Sequence, residues 1–138
     1  MLGEAIRVWA AGYIRKSVEV SSGGPFGCVR NPLYVGSFLI MLGYCVMAND
    51  LPVLIAAMAL FCIFHGAAIL YEEWYLTDLF REDFVSYCKS VPRLFPRWRA
   101  TNSAAGYSLK QVFENKEHLS AIWVLVTILA FALRIIFT

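Results

Sequence analysis

Residues 33–70 read LYVGSFLIMLGYCVMANDLPVLIAAMALFCIFHGAAIL, two apolar runs separated by the polar pair Asn49-Asp50. The second run has about 20 residues, the length of helix that crosses the hydrocarbon core of a bilayer. The first run ends at the Asn-Asp pair, and such residues are typical of turns. The stretch therefore predicts a membrane helical hairpin, with helices at about 33–48 and 51–71.

The composition of the whole chain agrees with a membrane protein. Hydrophobic residues make up 59% of the 138 residues, charged residues make up 16%, and the mean hydropathy is +0.61. Soluble domains average roughly 45–50% apolar and about 25% charged residues, so the excess apolar surface must face lipid. The net charge of +2 is too small to indicate a nucleic-acid partner. We predict one all-α integral membrane bundle over 1–138, with its core at 24–97.

Four further helices are predicted outside the hairpin. Residues 2–16 form a helix that is too short to span at about 1.5 Å per residue, so we expect it either to lie in the interface or to be the end of a longer helix. Residues 72–91 carry apolar side chains at spacings of three and four, which indicates an amphipathic helix on the cytoplasmic surface. Ser108 and Gln111 have the spacing of a capping box, so a short helix begins there. Residues 119–137 are a further transmembrane candidate.

The basic residues predict the orientation of these helices. The segment 15–30 carries three of them and 81–116 carries seven, whereas the turn at Asn49 and Asp50 carries none. Basic segments are retained on the cytoplasmic side. We therefore expect an integral protein of a bacterial-type inner membrane, with the turn outside and the functional site facing the cytoplasm.

This topology brings two polar groups to the same depth. Arg30 lies at the cytoplasmic start of the first hairpin helix, and Glu72 and Glu73 lie at the cytoplasmic end of the second. Each group alone would be an interfacial anchor or the mark of a helix end. Together on neighbouring helices they predict a polar site, because carboxylates at the hydrocarbon edge need partners. Arg30 would pair with a ligand carboxylate, and the glutamates would accept from ammonium or ribose hydroxyl groups.

The residues after Arg30 add geometry to this site. Asn31 is the predicted N-cap of a helix that begins at Pro32, and a helix start favours an anionic group. Gly36 would admit either a ligand or another helix, the latter by packing together with Gly43. Tyr34 is either an interfacial aromatic residue or a ligand contact.

The remaining candidates have structural interpretations. Four cysteines without C-x-x-C spacing predict neither a metal site nor a disulfide framework. His65 lies within an apolar helix, where we expect a hydrogen bond facing the bundle. Arg93, Arg97 and Arg99 are interpreted as positive-inside residues that contact anionic lipid. The cysteines are Cys28, Cys45, Cys62 and Cys88.

Several of these residues form an ordered series of motifs. The series is GPFGCVRNPLYVG at 24–36, an apolar hairpin, and EEWYLTDLFREDFVSYCKSVPRLFP at 72–96. It resembles the isoprenylcysteine carboxyl methyltransferase family and the related phospholipid methyltransferases, over about residues 3–96. The resemblance implies an integral-membrane enzyme that binds S-adenosylmethionine at the cytoplasmic face. The motif positions then predict these cofactor-binding residues: Val29, Arg30, Asn31, Pro32, Tyr34, Gly36, Glu72, Glu73 and Tyr87.

The resemblance also implies a reaction and its partners. A methyl group would pass to a lipophilic small molecule or lipid-modified acceptor that arrives from the bilayer lipids. The acceptor group is a carboxylate, an amine or a thiol. Arg30 and Glu72 are the predicted catalytic residues: Arg30 orients the ligand carboxylate, and Glu72 or Glu73 takes a proton from an amine or thiol.

The chain departs from the family pattern at three positions. Arg81 stands where the family usually has glycine, Phe84 replaces a tyrosine, and Ala68 stands where several eukaryotic members have arginine. Members usually carry two further membrane helices before this region, so either a minimal bundle suffices or neighbours in a homo-oligomer complete it. The alternative function is a non-catalytic membrane scaffold or subunit that retains the methyltransferase frame.

Overall fold

A computed structural model describes residues 1–15, 18–97 and 106–137. Within these ranges the chain is helical and contains no strand, so the all-α prediction is confirmed. The predicted helix end at Lys16 and the basic residue Arg99 lie outside the described residues. The helices are α1 (Leu2–Ala11), α2 (Pro32–Ala48), α3 (Leu51–Ser90), α4 (Leu109–Glu114) and α5 (Glu117–Phe137), with a 3-10 turn at Gly24–Gly27 between α1 and α2.

The hairpin of α2 and α3 forms as predicted. Asn49 closes α2 in the left-handed region at φ 50°, and the Asp50 carboxylate accepts a hydrogen bond from the Val53 main-chain N–H at 3.0 Å. α3 and the Glu117–Arg134 part of α5 are long and apolar enough to cross a membrane. Only 6% and 11% of their apolar windows are buried within the protein. Because these apolar surfaces face outward, they suit contact with lipid better than the core of a soluble domain.

α3 is longer than the predicted second span. The helix continues past the apolar run to Phe80, and the chain leaves helical geometry at Arg81, with φ 47° and ψ −116°. The predicted amphipathic helix 72–91 is therefore divided: its first half extends the span, and its second half follows the bend. These angles lie near those of the first central residue in a type II′ turn, where glycine is favoured because it lacks a Cβ. Arg81 thus occupies a glycine-type conformation at a position where the resembling family usually has glycine.

α1 is shorter than predicted and packs closely on α2. Gly3 and Gly36 form this contact, since a Cβ at Gly36 would lie 2.6 Å from the Gly3 carbonyl oxygen. The alternative that Gly36 serves helix packing is therefore correct, but its partner is Gly3. Apart from its chain neighbours and its own helix backbone, a Cβ added at Gly43 would have no atom of the described residues within 4 Å.

α5 is attached to α1 by buried polar groups. Arg7 donates to Glu117 Oε1 at 2.5 Å, and Glu117 is 6% exposed. The Asn115 amide before α5 donates to the carbonyls of Ala11 at 3.0 Å and Ile14 at 3.3 Å. These bonds place the start of α5 beside the end of α1.

α4 begins directly after Ser108, as the sequence predicted, but the Ser108 side chain makes no capping hydrogen bond. The capping-box interpretation is therefore wrong in its side-chain geometry. α5 starts two residues earlier than predicted, at Glu117.

Candidate functional site

Glu73 lies at the centre of the site, surrounded by three donors. The Arg30 guanidinium lies 3.3 Å from Oε1, and the Asn31 amide donates to the same oxygen at 3.4 Å. Arg93 donates from Nε to Oε1 at 3.1 Å and from Nη2 to Oε2 at 2.7 Å. The side chains of Glu73 and Arg30 are 13% and 16% exposed, so the carboxylate is well removed from water. Arg30 therefore lies beside the paired glutamates, as predicted, and contacts Glu73.

The helical hairpin accounts for the meeting of Arg30 and Glu73. α2 and α3 run antiparallel from a tight turn, so the first residues of α2 lie at the level of residues about 20 positions into α3. Arg30 lies 19 residues before Asn49 and Glu73 lies 23 residues after Asp50, so their distances from this turn are similar. Hydropathy and turn position were sufficient to predict this contact.

Arg93 reaches Glu73 through main-chain pairing of the residues that follow α3. The Arg30 N–H donates to the Pro92 carbonyl at 2.8 Å, and the Arg97 N–H donates to the Cys28 carbonyl at 3.0 Å. The Asn31 amide also donates to the Arg93 carbonyl at 3.2 Å. We call residues 91–97 the return segment. The hydrogen bonds between this segment and residues 28–31 hold Arg93 next to Glu73.

Asn31 occupies the N-cap position of α2 as predicted, but its side chain does not cap the helix. The amide turns instead toward Glu73 and the return segment. The first turn of α2 consequently keeps its main-chain donors free of a side-chain cap. A helix start of this kind carries a partial positive charge and favours an anionic group.

The site opens into a cavity of about 490 Å³, within the range of about 300–1,000 Å³ that is usual for small-molecule sites. Tyr87 anchors one side of it, and its hydroxyl donates to the Phe26 carbonyl at 2.6 Å. Of the predicted cofactor residues, Val29 and Gly36 do not line the cavity. Val29 is buried, and Gly36 packs on α1. The predicted residues that do line it are Arg30, Asn31, Pro32, Tyr34, Glu72, Glu73 and Tyr87.

The sequence reasoning missed several residues of this site. Tyr75, Phe80 and Phe84 supply an aromatic wall, and Phe84 is only 3% exposed. Phe80 and Phe84 belong to the apolar residues that recur at spacings of three and four in 72–91, so that pattern could have indicated them, whereas Tyr75 lies outside it. Arg93 was also missed, because it was interpreted as a lipid-facing basic residue.

The two adjacent glutamates have different surroundings. Glu73 forms ion pairs with Arg30 and Arg93. Its carboxylate raises the pKa of the Arg93 guanidinium by hydrogen bonding and by its charge. Glu72 lines the cavity, is exposed, and forms no ion pair within the described residues. Arg30 keeps one unused donor, since its buried Nε has no hydrogen-bond partner there. The cavity is therefore lined by the Arg30 guanidinium, which also contacts Glu73, and by a second carboxylate without an ion pair among the described residues.

A second, apolar cavity of about 720 Å³ lies among α2, α3 and α5. His65 lines it and stacks on Phe61, with ring centroids 3.9 Å apart. The predicted hydrogen bond of His65 is not seen, because Nδ1 is buried without a partner in the described part of the chain. His65 also meets Tyr34 edge-on at 5.8 Å, and Arg7 lines both cavities.

The described residues contain no group of three or more histidine, cysteine or acidic side chains that would hold a metal ion. The four cysteines are free thiols.

Comparison with known proteins gives a family and two relatives. The model of the phospholipid methyltransferase family matches residues 2–83, which include Arg30, Glu72 and Glu73 but end before Tyr87 and Arg93. The cobalt-zinc-cadmium resistance protein CzcN of Cupriavidus metallidurans is 35% identical over 103 residues, 70% of this chain and 47% of the relative. The nickel-cobalt-cadmium resistance protein NccN of Alcaligenes xylosoxydans xylosoxydans is 30% identical over 121 residues, 86% of this chain and 56% of the relative.

The chain therefore spans about half the length of the curated relatives it matches. No solved structure matches it.

Proposed function

Because the chain belongs to the phospholipid methyltransferase family, we propose that it is an integral-membrane methyltransferase that uses S-adenosylmethionine and acts on a lipophilic acceptor. The observation that carries this proposal is that Arg30, Glu72 and Glu73 line one cavity, beside the start of α2 and the middle of α3. We place this cavity at the cytoplasmic face, on the basis of the basic residues in 15–30 and 81–116.

The available groups of the cavity fit the parts of the cofactor. The carboxylate of S-adenosylmethionine would bind the Arg30 guanidinium beside the uncapped start of α2. Its ammonium or ribose hydroxyls would bind Glu72. Its adenine would lie on the aromatic side chains of Phe80 and Phe84, which line the same cavity.

The chemistry divides between cofactor and protein. When bound, S-adenosylmethionine supplies an activated methyl group, so the protein needs no nucleophile of its own. The protein aligns the acceptor and excludes water. A carboxylate acceptor needs no base. An amine or thiol acceptor would have to lose a proton, and Glu72 can accept it only where the cofactor ammonium does not already neutralise that carboxylate.

The names of the relatives suggest a physiological setting. CzcN and NccN are named for resistance to cobalt, zinc, cadmium and nickel. We extend this role to the present chain and propose that its methylation of a membrane component contributes to tolerance of these metals. Loss of the gene would then lower the metal concentration that cells survive, and Arg30→Ala would fail to restore it. Full rescue by that variant would contradict an enzymatic contribution.

The second candidate function is a non-catalytic membrane subunit. Two observations favour it: the names of the relatives describe resistance, and Arg81 replaces the glycine that the family usually has at the bend. The two functions differ in turnover. Purified protein in bacterial lipid vesicles is incubated with methyl-labelled S-adenosylmethionine, and label is followed into the organic phase. The enzyme transfers label and its Arg30→Ala variant does not, whereas absence of label despite cofactor binding would favour the subunit.

A further inference from the structure

Arg93 makes more contacts with the Glu73 carboxylate than Arg30 does. Its guanidinium contacts both carboxylate oxygens, at 3.1 and 2.7 Å. Arg30 has a single ion-pair contact with Glu73, at 3.3 Å. A two-pronged contact between guanidinium and carboxylate is stronger and more directional than a single one. The main interaction of the Glu73 carboxylate is therefore with Arg93 of the return segment.

This arrangement changes what Glu73 offers to a ligand. Both of its oxygens already accept from Arg93, and Oε1 also accepts from Asn31. Oε2 keeps a further acceptor site, but a ligand ammonium there would share with Arg93 and Arg30 a carboxylate that is 13% exposed. Glu72, one residue earlier, lines the cavity and is exposed. The two carboxylates are therefore not equivalent, although they are adjacent in sequence.

We propose that Arg93 is a positioning residue for the proposed cofactor. By satisfying Glu73, it leaves the Arg30 guanidinium available to the ligand carboxylate and leaves Glu72 as the carboxylate that receives the ligand ammonium. This inference rests on the proposed function and deepens it, because it assigns the two charged ends of the ligand to different residues and gives a role to the return segment.

Removal of Arg93 has a specific electrostatic consequence. Glu73 would keep its charge and lose the cation that contacts both of its oxygens. Because Arg30 is the remaining cation in contact with it among the described residues, attraction would draw the Arg30 guanidinium into a two-pronged pair. The N–H groups that a ligand carboxylate needs would then be occupied. The ligand carboxylate, and no other part of the ligand, would lose its partner.

Two ligands that differ only in this group test the proposal. S-adenosylhomocysteine carries the carboxylate, and its decarboxylated form keeps the ammonium and the adenosine. The full chain in lipid nanodiscs is titrated with each ligand by calorimetry. We expect Arg93→Ala to weaken S-adenosylhomocysteine binding about tenfold and to leave binding of the decarboxylated form unchanged. Arg97→Ala is the matched control, since it removes a positive charge from the return segment and should change neither affinity.

Two further variants complete the test. Arg93→Lys keeps the charge without the two-pronged geometry, so it should weaken S-adenosylhomocysteine binding by severalfold, even where Arg93→Ala fails to fold. Glu72→Gln should weaken both ligands, because both carry the ammonium. Equal weakening of both ligands by Arg93→Lys, or none, would overturn the positioning role while leaving the proposed function intact. A wild-type protein that binds neither ligand would overturn the proposed function itself.

Discussion

Arg93 and Glu73 form a two-pronged ion pair, with Nη2 2.7 Å from Oε2 and Nε 3.1 Å from Oε1, across 20 residues of chain. A continuous helix of that length rises about 30 Å, so the pair can form only because the chain turns back between the two residues. The turn is the bend at Arg81, where φ is 47°. The backbone conformation of one exposed arginine thus determines whether the return segment can reach the site.

The bend gives a prediction about stability. Arg81→Gly should raise the free energy of unfolding by about 1 kcal/mol, because glycine adopts this conformation without the strain that a Cβ causes. Chemical unfolding in detergent measures the change. Arg81→Ala removes the same charge but keeps a Cβ, so it should give little gain. A comparable gain from both variants would mean that charge, and not backbone strain, is responsible.

The contact between α1 and α2 gives a second prediction. Gly36→Ala should destabilise the protein by about 2 kcal/mol, because its Cβ would meet the Gly3 carbonyl oxygen and the Arg7 side chain. Gly43→Ala lies in the same helix in open space and should be neutral or slightly stabilising. Thermal unfolding of the two variants in one detergent provides the comparison. Equal behaviour of the two variants would contradict the close packing of α1 on α2.

Glu4 gives a prediction about pH dependence. Burial raises the pKa of its carboxyl above the usual 4.5, despite the nearby charge of Arg7. Because the pKa of Glu4 is raised in the folded state, the contribution of Glu4 to the free energy of unfolding is largest below its unfolded-state pKa. This contribution is lost as pH rises through the folded-state pKa. Glu4→Gln removes this penalty, so the variant should be more stable than wild type near neutral pH. The difference should disappear as pH falls toward the unfolded value.

Unfolding temperatures measured from about pH 4 to pH 8 test the prediction for Glu4. Glu114→Gln, which alters an exposed acid on α4, is the control and should show no such pH-dependent gain. A stability difference for Glu4→Gln that does not change with pH would contradict the raised pKa.

The sequence was sufficient for the helices and for one half of the site. Hydropathy and the Asn49-Asp50 turn predicted α2 and α3, and similar distances from that turn predicted that Arg30 would meet the glutamates. These features depend on local composition and on helix geometry, which a single sequence contains.

The rest of the site could not be predicted in the same way. Arginine gives no signal for positive φ, so the bend at Arg81 was marked only by the glycine of the resembling family. The role of Arg93 depends on main-chain bonds between residues 62 and 69 positions apart, Arg30 with Pro92 and Cys28 with Arg97. In the sequence, Arg93 is one of several basic residues that follow the amphipathic helix, and only its place in the motif series at 72–96 distinguishes it from Arg97.

We propose that the cavity beside Arg30 and Glu72 binds S-adenosylmethionine. Calorimetric titration of the purified chain with S-adenosylhomocysteine, in detergent and in lipid nanodiscs, tests it most directly. We predict binding in the micromolar range. Arg30→Ala should abolish this binding, and Lys110→Ala, a control at an exposed residue of α4, should leave it unchanged. Absence of binding by the wild-type chain in both environments, or undiminished binding by Arg30→Ala, would contradict it.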